Sequence, residues 1–170
     1  MNTPTSSPSP AETMFIMAQA TDELDIHLFS SLFIPGQTAT IDVSKHLGLA
    51  PQDVLPENLA EQMLGVLRGF TATHHLITNP VITIDPSTPT KAKATAYKTA
   101  YHCIQDDNSE IQSATARGTW DMELEQFQGR WVIRRFTVVR TVPLHPRELA
   151  LWGAAKDRVA DGKGRPVKSI

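Results

Sequence analysis

The clearest structural signal lies in TKAKATAYKTAYHCI, residues 90–104. Small or apolar side chains alternate there with polar ones at a period of two, which is typical of a β-strand with two unlike faces. One face carries Ala92, Ala94, Ala96, Lys98, Ala100, His102 and Ile104. Because alanines leave room above a sheet, we predict that this face is concave and that His102 points into the space beside it.

Three more segments show the same period: residues 73–85, 113–128 and 130–142. Turn-forming sequences separate the four segments, so we predict an antiparallel meander. Strands this long favour a bent sheet with a concave side. The alternation places Trp120 on the core side with Ala116 and Met122, whereas the direction of Arg140 depends on whether a bulge or strand end re-aims it.

The first half of the chain has a helical period instead. Apolar residues recur at helical spacing across residues 11–33, with a joint near Thr21 and a stop at Pro35 and Gly36. A short strand over 37–43, an ambiguous segment over 45–55, a helix over 56–70 and a last helix over 146–158 complete the assignment. We therefore predict an α+β domain whose helices close the concave side of the sheet over a pocket.

A chain of 170 residues with 41% hydrophobic content fits one domain. We place a disordered tail at 1–10, the domain at 11–155 and a flexible C-terminal tail at 156–170. The tail MNTPTSSPSP has no Lys or Arg and resembles no secretory or transit signal. No apolar run approaches the roughly 20 residues that cross a bilayer, so we expect a cytoplasmic protein with no membrane partner.

Charge and cysteine content exclude further classes. The formal net charge is −2 and no run of Lys or Arg occurs, so we expect no nucleic-acid partner. Cys103 is the only cysteine, which rules out an intrachain disulfide and a cysteine-built metal site. Its place in a strand-like run indicates a small buried side chain rather than a nucleophile.

Four polar positions indicate an acid/base pocket: Asp22 in TDELD, His75 in THHLITNP, His102 in AYHCIQDD, and Arg140 nine residues after Trp131. In this order, and with the strand TIDV between them, the motifs resemble the SnoaL-like branch of the NTF2-like superfamily. The resemblance covers residues 11–142. The similar motifs are those of scytalone dehydratase and of the bacterial bile-acid dehydratase.

This resemblance implies a cone-shaped α+β fold with a curved mixed or antiparallel sheet, and a dehydratase, isomerase or cyclase of secondary metabolism without metal or organic cofactor. It implies that Asp22 holds one imidazole nitrogen of His75, which acts as base and then as acid. His102 would donate a hydrogen bond to the substrate or leaving oxygen. Arg140 or the Trp120 indole N–H would stabilise an enolate. The expected ligand is a small cyclic, apolar, polyketide-like or terpenoid-like molecule.

One departure from scytalone dehydratase concerns the phenols that polarise the substrate carbonyl there. In that family, one tyrosine precedes the helix aspartate and another follows Ile-Asp on the first strand. This chain has Thr21 and Val43 at the corresponding positions. Tyr97 and Tyr101 fall on the strand face opposite His102, so they do not replace the missing phenols. The departure argues against scytalone itself as the substrate.

Each of these side chains also has a structural interpretation. Asp22 could cap a helix that restarts after Thr21, and Trp120 could belong only to the core. His102 could be a satisfied pocket-edge histidine, and Arg140 could pair with a carboxylate at the sheet edge. His75 could have no functional role, or it could bind a metal ion together with His74. The metal site is the weaker alternative, because adjacent residues of a strand point to opposite faces of the sheet. His27, His46 and His145 are assigned no role.

A different class of function remains open, namely a non-catalytic ligand-binding or dimerisation module. The second strand face is mixed polar and aromatic, as in protein interfaces, and we expect a homodimer or higher homo-oligomer. Its residues are Thr95, Tyr97, Thr99, Tyr101, Thr115, Arg117 and Thr119. An enzyme requires Asp22 within hydrogen-bond reach of His75 and both open to a cavity, whereas an assembly module can have that cavity filled. A pocket that binds without turnover is a third possibility.

Overall fold

The computed structural model describes residues 8–168. The helices are α1 (Pro10–Glu23), α2 (Ile26–Ser30), α3 (Ser44–Leu47), α4 (Pro56–Leu67) and α5 (Pro146–Ala160). The strands are β1 (Ala39–Asp42), β2 (Gln52–Val54), β3 (Ala72–Ile84), β4 (Lys91–Gln105), β5 (Ile111–Phe127) and β6 (Arg130–Arg140). Within residues 8–168, no helix combines the length and the apolar character that a bilayer span requires.

The strands form one curved, open, six-stranded sheet in the order β2-β1-β6-β5-β4-β3. Strands β3 to β6 pair antiparallel in sequence order, which confirms the predicted meander. Strand β1 pairs parallel with β6, with Ile41 opposite Phe136, and β2 pairs antiparallel with β1. The sheet is therefore mixed, and the α+β prediction is confirmed.

The N-terminal helix begins earlier than the sequence predicts. Ser9 Oγ accepts from the Glu12 backbone N–H, and the Glu12 carboxylate accepts in return from the Ser9 N–H at 2.6 Å. This reciprocal cap and a proline at the first helical position start α1 at Pro10. The predicted tail at 1–10 thus overlaps the helix, although residues 1–7 lie outside the described part of the chain.

A left-handed residue separates the first two helices. Leu24, at φ 54°, ends α1, and the Asp25 carboxylate caps α2 by accepting from the Leu28 N–H at 2.8 Å. The joint therefore lies three residues beyond the predicted position. As a result, Asp22 occupies the last turn of α1, next to β3, and it is Asp25 that caps the restarting helix.

The main core lies between the concave face of the sheet and the helices. The alanine face of β4 is buried there, at Ala92, Ala94, Ala96 and Ala100. Methionine and phenylalanine side chains of α1 and of the segment after it pack against this face: Met14, Met17, Phe29 and Phe33. Small residues on the strand let these larger side chains approach closely, and the contact stabilises the curved sheet through apolar burial.

The C-terminal segment is more ordered than a flexible tail from residue 156. Helix α5 continues to Ala160, and the chain then returns to the ends of two other helices. Arg165 Nη1 donates to the carbonyl oxygen of Asp22 at 3.1 Å, and its Nη2 donates to that of Leu67 at 3.3 Å. Carbonyls in the last turn of a helix lack helical partners, so the half-buried guanidinium of Arg165, which donates to two of them, holds the segment in place.

We expect Arg165→Ala to lower the free energy of unfolding by about 1.5–3 kcal/mol, the usual contribution of hydrogen bonds from a charged donor. Urea unfolding followed by circular dichroism measures this. Lys163→Ala is the matched control, since Lys163 is an exposed cation of the same segment. Equal losses in both variants would show that the Arg165 contacts do not anchor the segment.

Candidate active site

The Asp22 carboxylate makes three contacts with β3. Its Oδ2 accepts from the His75 backbone N–H at 2.7 Å, and its Oδ1 accepts from the Thr73 hydroxyl at 2.9 Å. Oδ1 also lies 2.7 Å from Nδ1 of the His75 ring. An ionised carboxylate can only accept, so Nδ1 carries the hydrogen and Nε2 keeps its lone pair. The geometry therefore brings together the predicted Asp22–His75 pair and leaves Nε2 available to a ligand.

The ionisation state of Asp22 follows from these contacts. Burial raises the pKa of the Asp22 carboxyl, but the hydrogen bonds and charge of His75 and the Thr73 hydroxyl together outweigh burial. The net pKa lies below its usual value, so the group is ionised at neutral pH. Such a carboxylate orients the imidazole through its contact with Nδ1.

A cavity of about 450 Å³ opens beside His75 on the concave side of the sheet. It is lined mainly by apolar side chains of β1, α4, β6 and α5, among them Ile41, Leu59, Met63, Phe136, Val138 and Trp152. His75, His102, Trp120 and Arg140 all line it, so four of the five predicted site residues face one space. Asp22 is not part of the lining and stands behind His75.

His102 is almost completely buried, with 2% of its surface exposed. Its ring lies 4.7 Å from that of Trp152, 4.9 Å from Phe70 and 5.6 Å from His75, between centroids. Neither ring nitrogen has a hydrogen-bond partner of ordinary geometry among residues 8–168. Burial, and then the charges of His75 and Lys98, lower its pKa to about 3. The ring is therefore neutral at physiological pH and keeps one N–H without a strong partner.

Trp120 belongs both to the core and to the cavity wall. It is 2% exposed, and its ring packs against His75 at 5.6 Å and edge-on against Phe136 at 5.1 Å. This placement confirms the predicted core side and rigidifies the histidine ring.

Arg140 is the last residue of β6, and a bulge precedes it on that strand. The register shifts between Glu123 and Leu124 on β5, and beyond the shift Arg140 lies opposite Gly118. Arg140 is half-buried and lines the cavity, and no carboxylate of the described chain pairs with it. The arginines of β6 that do pair with carboxylates are Arg134, with Glu125 at 3.5 Å, and Arg135, with Asp42 at 2.7 Å.

Two further titratable residues that are buried or half-buried line the cavity, and the sequence analysis assigned neither of them a role in the site. Lys98 is 5% exposed, and burial lowers its pKa to about 8. His46 on α3, assigned no role from sequence, is half-buried, and burial and the charges of Lys98 and Arg140 lower its pKa to about 4. A lysine among the alanines of the predicted concave face was a usable signal for Lys98. The four-residue α3 offered none for His46.

The remaining expectations concern phenols and metals. Tyr97 is 61% exposed and Tyr101 is 36% exposed, which confirms that they face away from His102. Across residues 8–168, no three His, Cys, Asp or Glu side chains converge as metal ligands would.

Solved structures share this architecture. The Kfla4162 protein of Kribbella flavida is 21% identical, with 83% of this chain and 93% of that chain covered at a TM-score of 0.71. A candidate scytalone dehydratase of Novosphingobium aromaticivorans is 17% identical. The match covers 78% of this chain and 81% of that chain, at a TM-score of 0.62. A candidate dehydratase from the NTF2-like family, of Streptomyces avermitilis, is 10% identical. The match covers 78% of this chain and 94% of that chain, at a TM-score of 0.65. Identities this low establish the common NTF2-like fold and leave activity open.

Comparison at the level of sequence gives the family. No curated protein matches the chain. The family profile described as a SnoaL-like domain matches residues 14–137, a stretch that runs from the first turns of α1 to the middle of β6. Asp22, His75, His102 and Trp120 all lie within it, and the motif resemblance to the SnoaL-like branch is thereby confirmed. The chain belongs to the family of SnoaL-like domains.

Proposed function

We propose that this protein is a cofactor-independent enzyme of the lyase or isomerase type, a dehydratase, isomerase or cyclase that acts on a small cyclic molecule. The observation that carries the proposal is the 2.7 Å contact between Asp22 and His75 Nδ1, with His75 at the wall of an open apolar cavity. A carboxylate-oriented imidazole beside an apolar cavity is suited to proton transfer at carbon.

In the proposed reaction, His75 Nε2 removes a proton from a carbon next to a substrate carbonyl. The electron pair of that C–H bond moves into an enolate, and Asp22 stabilises the imidazolium that forms. In a dehydration, the imidazolium then returns the proton to a departing hydroxyl, which leaves as water. In an isomerisation or cyclisation, the same proton is delivered to another substrate atom.

The other cavity residues bind and polarise the substrate. The N–H of neutral His102 donates to the substrate or leaving oxygen, Trp120 supplies a flat apolar wall, and Arg140 contributes positive charge. The apolar lining excludes water, which increases the strength of each polar contact inside the cavity. A ring-containing polyketide-like or terpenoid-like compound matches this lining.

Two observations support an enzyme over an assembly module. An assembly module can fill the space beside His75 with side chains, whereas about 450 Å³ is open here. The candidate dehydratases that share the fold favour the same class of chemistry for this chain.

The outer face of the sheet supports the prediction of a homo-oligomer. Apolar and aromatic side chains are exposed on β3 and β4, namely Leu76, Val81, Tyr97 and Tyr101. Burying them between two copies would be favourable. Sedimentation of the purified protein checks this expectation, and a monomer at high concentration would contradict it.

Proton abstraction can be tested with 5-nitrobenzisoxazole: when a base removes the C3–H proton of its isoxazole ring, that electron pair forms a nitrile, the N–O bond breaks, and a coloured phenolate is released. We expect the protein to accelerate this reaction over buffer and His75→Ala to lower the rate about 10²- to 10⁴-fold, the usual contribution of a positioned base. Asp22→Asn should lose rate as well, because an amide no longer holds the imidazole in one tautomer.

His74→Ala is the matched control, because His74 is the exposed neighbour on the other strand face. Its rate should equal that of the unmodified protein. If His75→Ala keeps its fold by circular dichroism and is as fast as the unmodified protein, His75 is not the base.

Because His102 is buried in its neutral form, we expect the free energy of unfolding to depend on pH. Its pKa in the folded state, about 3, lies below the ordinary value of 6.5, so the unfolded chain binds this proton first as pH falls. The contribution to stability is complete above pH 6.5 and is lost on acidification, by about 1.4 kcal/mol per pH unit between pH 6 and 4.

We expect His102→Gln to reduce the loss of unfolding free energy per pH unit. Some pH dependence should remain, because the pKa of His46 is also lowered in the folded protein. Urea unfolding at pH 6, 5 and 4 measures the slope, and His74→Gln should leave it unchanged. If the slope of His102→Gln equals that of the unmodified protein, the His102 ring binds a proton as readily in the folded protein as in the unfolded chain, and the prediction is wrong.

A further inference from the structure

Beyond the acid/base pair, the cavity contains cationic groups that have no counter-ion within the described part of the chain. We propose that Lys98 and Arg140 form a binding site for a carboxylate of the ligand, so that the molecule taken up is an anionic, ring-containing carboxylic acid. The inference deepens the proposed function by naming the substrate class, although the site itself is defined by binding and needs no turnover.

The register of the sheet places the two cations on one row. Lys98 on β4 lies opposite Gly118 on β5, and Gly118 lies opposite Arg140 on β6. Directly opposite residues point to the same face of a sheet. Both cations line the cavity, so their side chains extend from the sheet into it on either side of Gly118.

The glycine keeps the space between them free of a side chain. A Cβ at Gly118 would lie 1.8 Å from the carbonyl oxygen of Val139, which the backbone of β6 cannot accommodate. Neighbouring strands are about 4.8 Å apart, so the backbones that carry Lys98 and Arg140 are about 10 Å apart. A carboxylate above Gly118 can therefore accept from both long side chains at once.

The charge distribution leaves Lys98 without compensation. No Asp or Glu is among the residues that line the cavity, and the exposed Lys156 adds a further cation at its edge. Lys98 is 5% exposed, and within residues 8–168 its side-chain amine has no hydrogen bond and no ion pair. A buried cation is unfavourable unless an anion accompanies it.

Nearby groups agree with an anionic ligand. His46 Nδ1 is buried without a hydrogen-bond partner among residues 8–168, and the ring lines the same cavity as Lys98 and Arg140, whose charges act on it. The lowered pKa of Lys98, about 8, still leaves most of its amine protonated at neutral pH. The carboxylate of Asp22 is taken up by His75 and does not face the cavity.

The site also lies at a useful distance from the base. His75 on β3 is opposite Ala100, and Lys98 is two residues further along the same face of β4. Diagonal neighbours of this kind are about 7–8 Å apart between Cα atoms. A ring whose carboxylate is held by Lys98 and Arg140 would lie against Trp120 and present a neighbouring carbon to His75.

The test is calorimetric binding of 2-naphthoate and of neutral 2-naphthalenemethanol to the full chain, because the two probes share a ring system and differ in charge. We expect 2-naphthoate to bind at least tenfold more tightly. Lys98→Met and Arg140→Met should each abolish most of that preference, since a neutral side chain of similar length replaces the cation.

Lys93→Met is the matched control, because it removes the same charge from the outer face of the same strand. It should keep the preference for 2-naphthoate. Folding is checked independently, and Lys98→Met should unfold at a higher urea concentration than the unmodified protein because it removes a buried unpaired cation. Equal affinity for both probes, no binding of either probe, or an unchanged preference in folded Lys98→Met would overturn the proposal.

His75→Ala separates this inference from the proposed function. It removes the base and leaves Lys98 and Arg140 in place, so it should retain the preference for 2-naphthoate. A normal preference together with no proton transfer by the unmodified protein would contradict only the acid/base proposal. Proton transfer that depends on His75, without any preference for the carboxylate, would contradict only the anion site.

Discussion

The contact between the Asp22 carboxylate and His75 is the interaction on which the rest of the site depends. It joins the last turn of α1 to the strand β3, and it engages both the backbone N–H and the ring of the histidine. A shift of α1 by one residue would turn Asp22 away from the sheet, since successive helical residues differ by about 100°. The residues at which α1 begins and ends therefore determine whether Asp22 can contact His75. The Ser9 cap, left-handed Leu24 and the Arg165 guanidinium together hold this helix in register.

The face assignments could be predicted from sequence because a long strand with period two leaves little freedom. Once residues 90–104 are identified as a strand, His102 and Tyr97 must point in opposite directions, and the structure agrees. The same reasoning placed Trp120 on the core side. The pairing of Asp22 with His75 was predictable only from the family motif, because the two residues are 53 positions apart and no local pattern links them.

Other features could not be predicted because they depend on interactions between distant segments. The bulge in β6 lies between Ile133 and Arg135, so it changes the alternation before the run of Phe136, Val138 and Arg140 that shares the cavity face, and the sequence does not reveal this register shift. His46 reaches the cavity from a four-residue helix that is too short to show periodicity. The segment around Arg165 is rich in glycine and lysine, which is typical of a frayed end, yet it is held by carbonyls of α1 and α4 that become available only after those helices have formed.

Burial acts on His46, Lys98 and His102 in the cavity and on Asp22 behind it, and the neighbours of each group help to decide its charge. It keeps His46 and His102 neutral and lowers the pKa of Lys98, whereas it fails to neutralise Asp22 because His75 and Thr73 donate to that carboxylate. Within residues 8–168, the half-buried carboxylate of Asp22 thus has internal partners, whereas the buried amine of Lys98 has none. This asymmetry would select among ligands, since a neutral ring gains only apolar contacts while an anionic one also relieves the unpaired charge of Lys98. Binding and proton transfer would then rely on the same low-polarity cavity for different reasons. The cavity strengthens the attraction between Lys98 and an anion, and it keeps competing water away from Nε2 of His75.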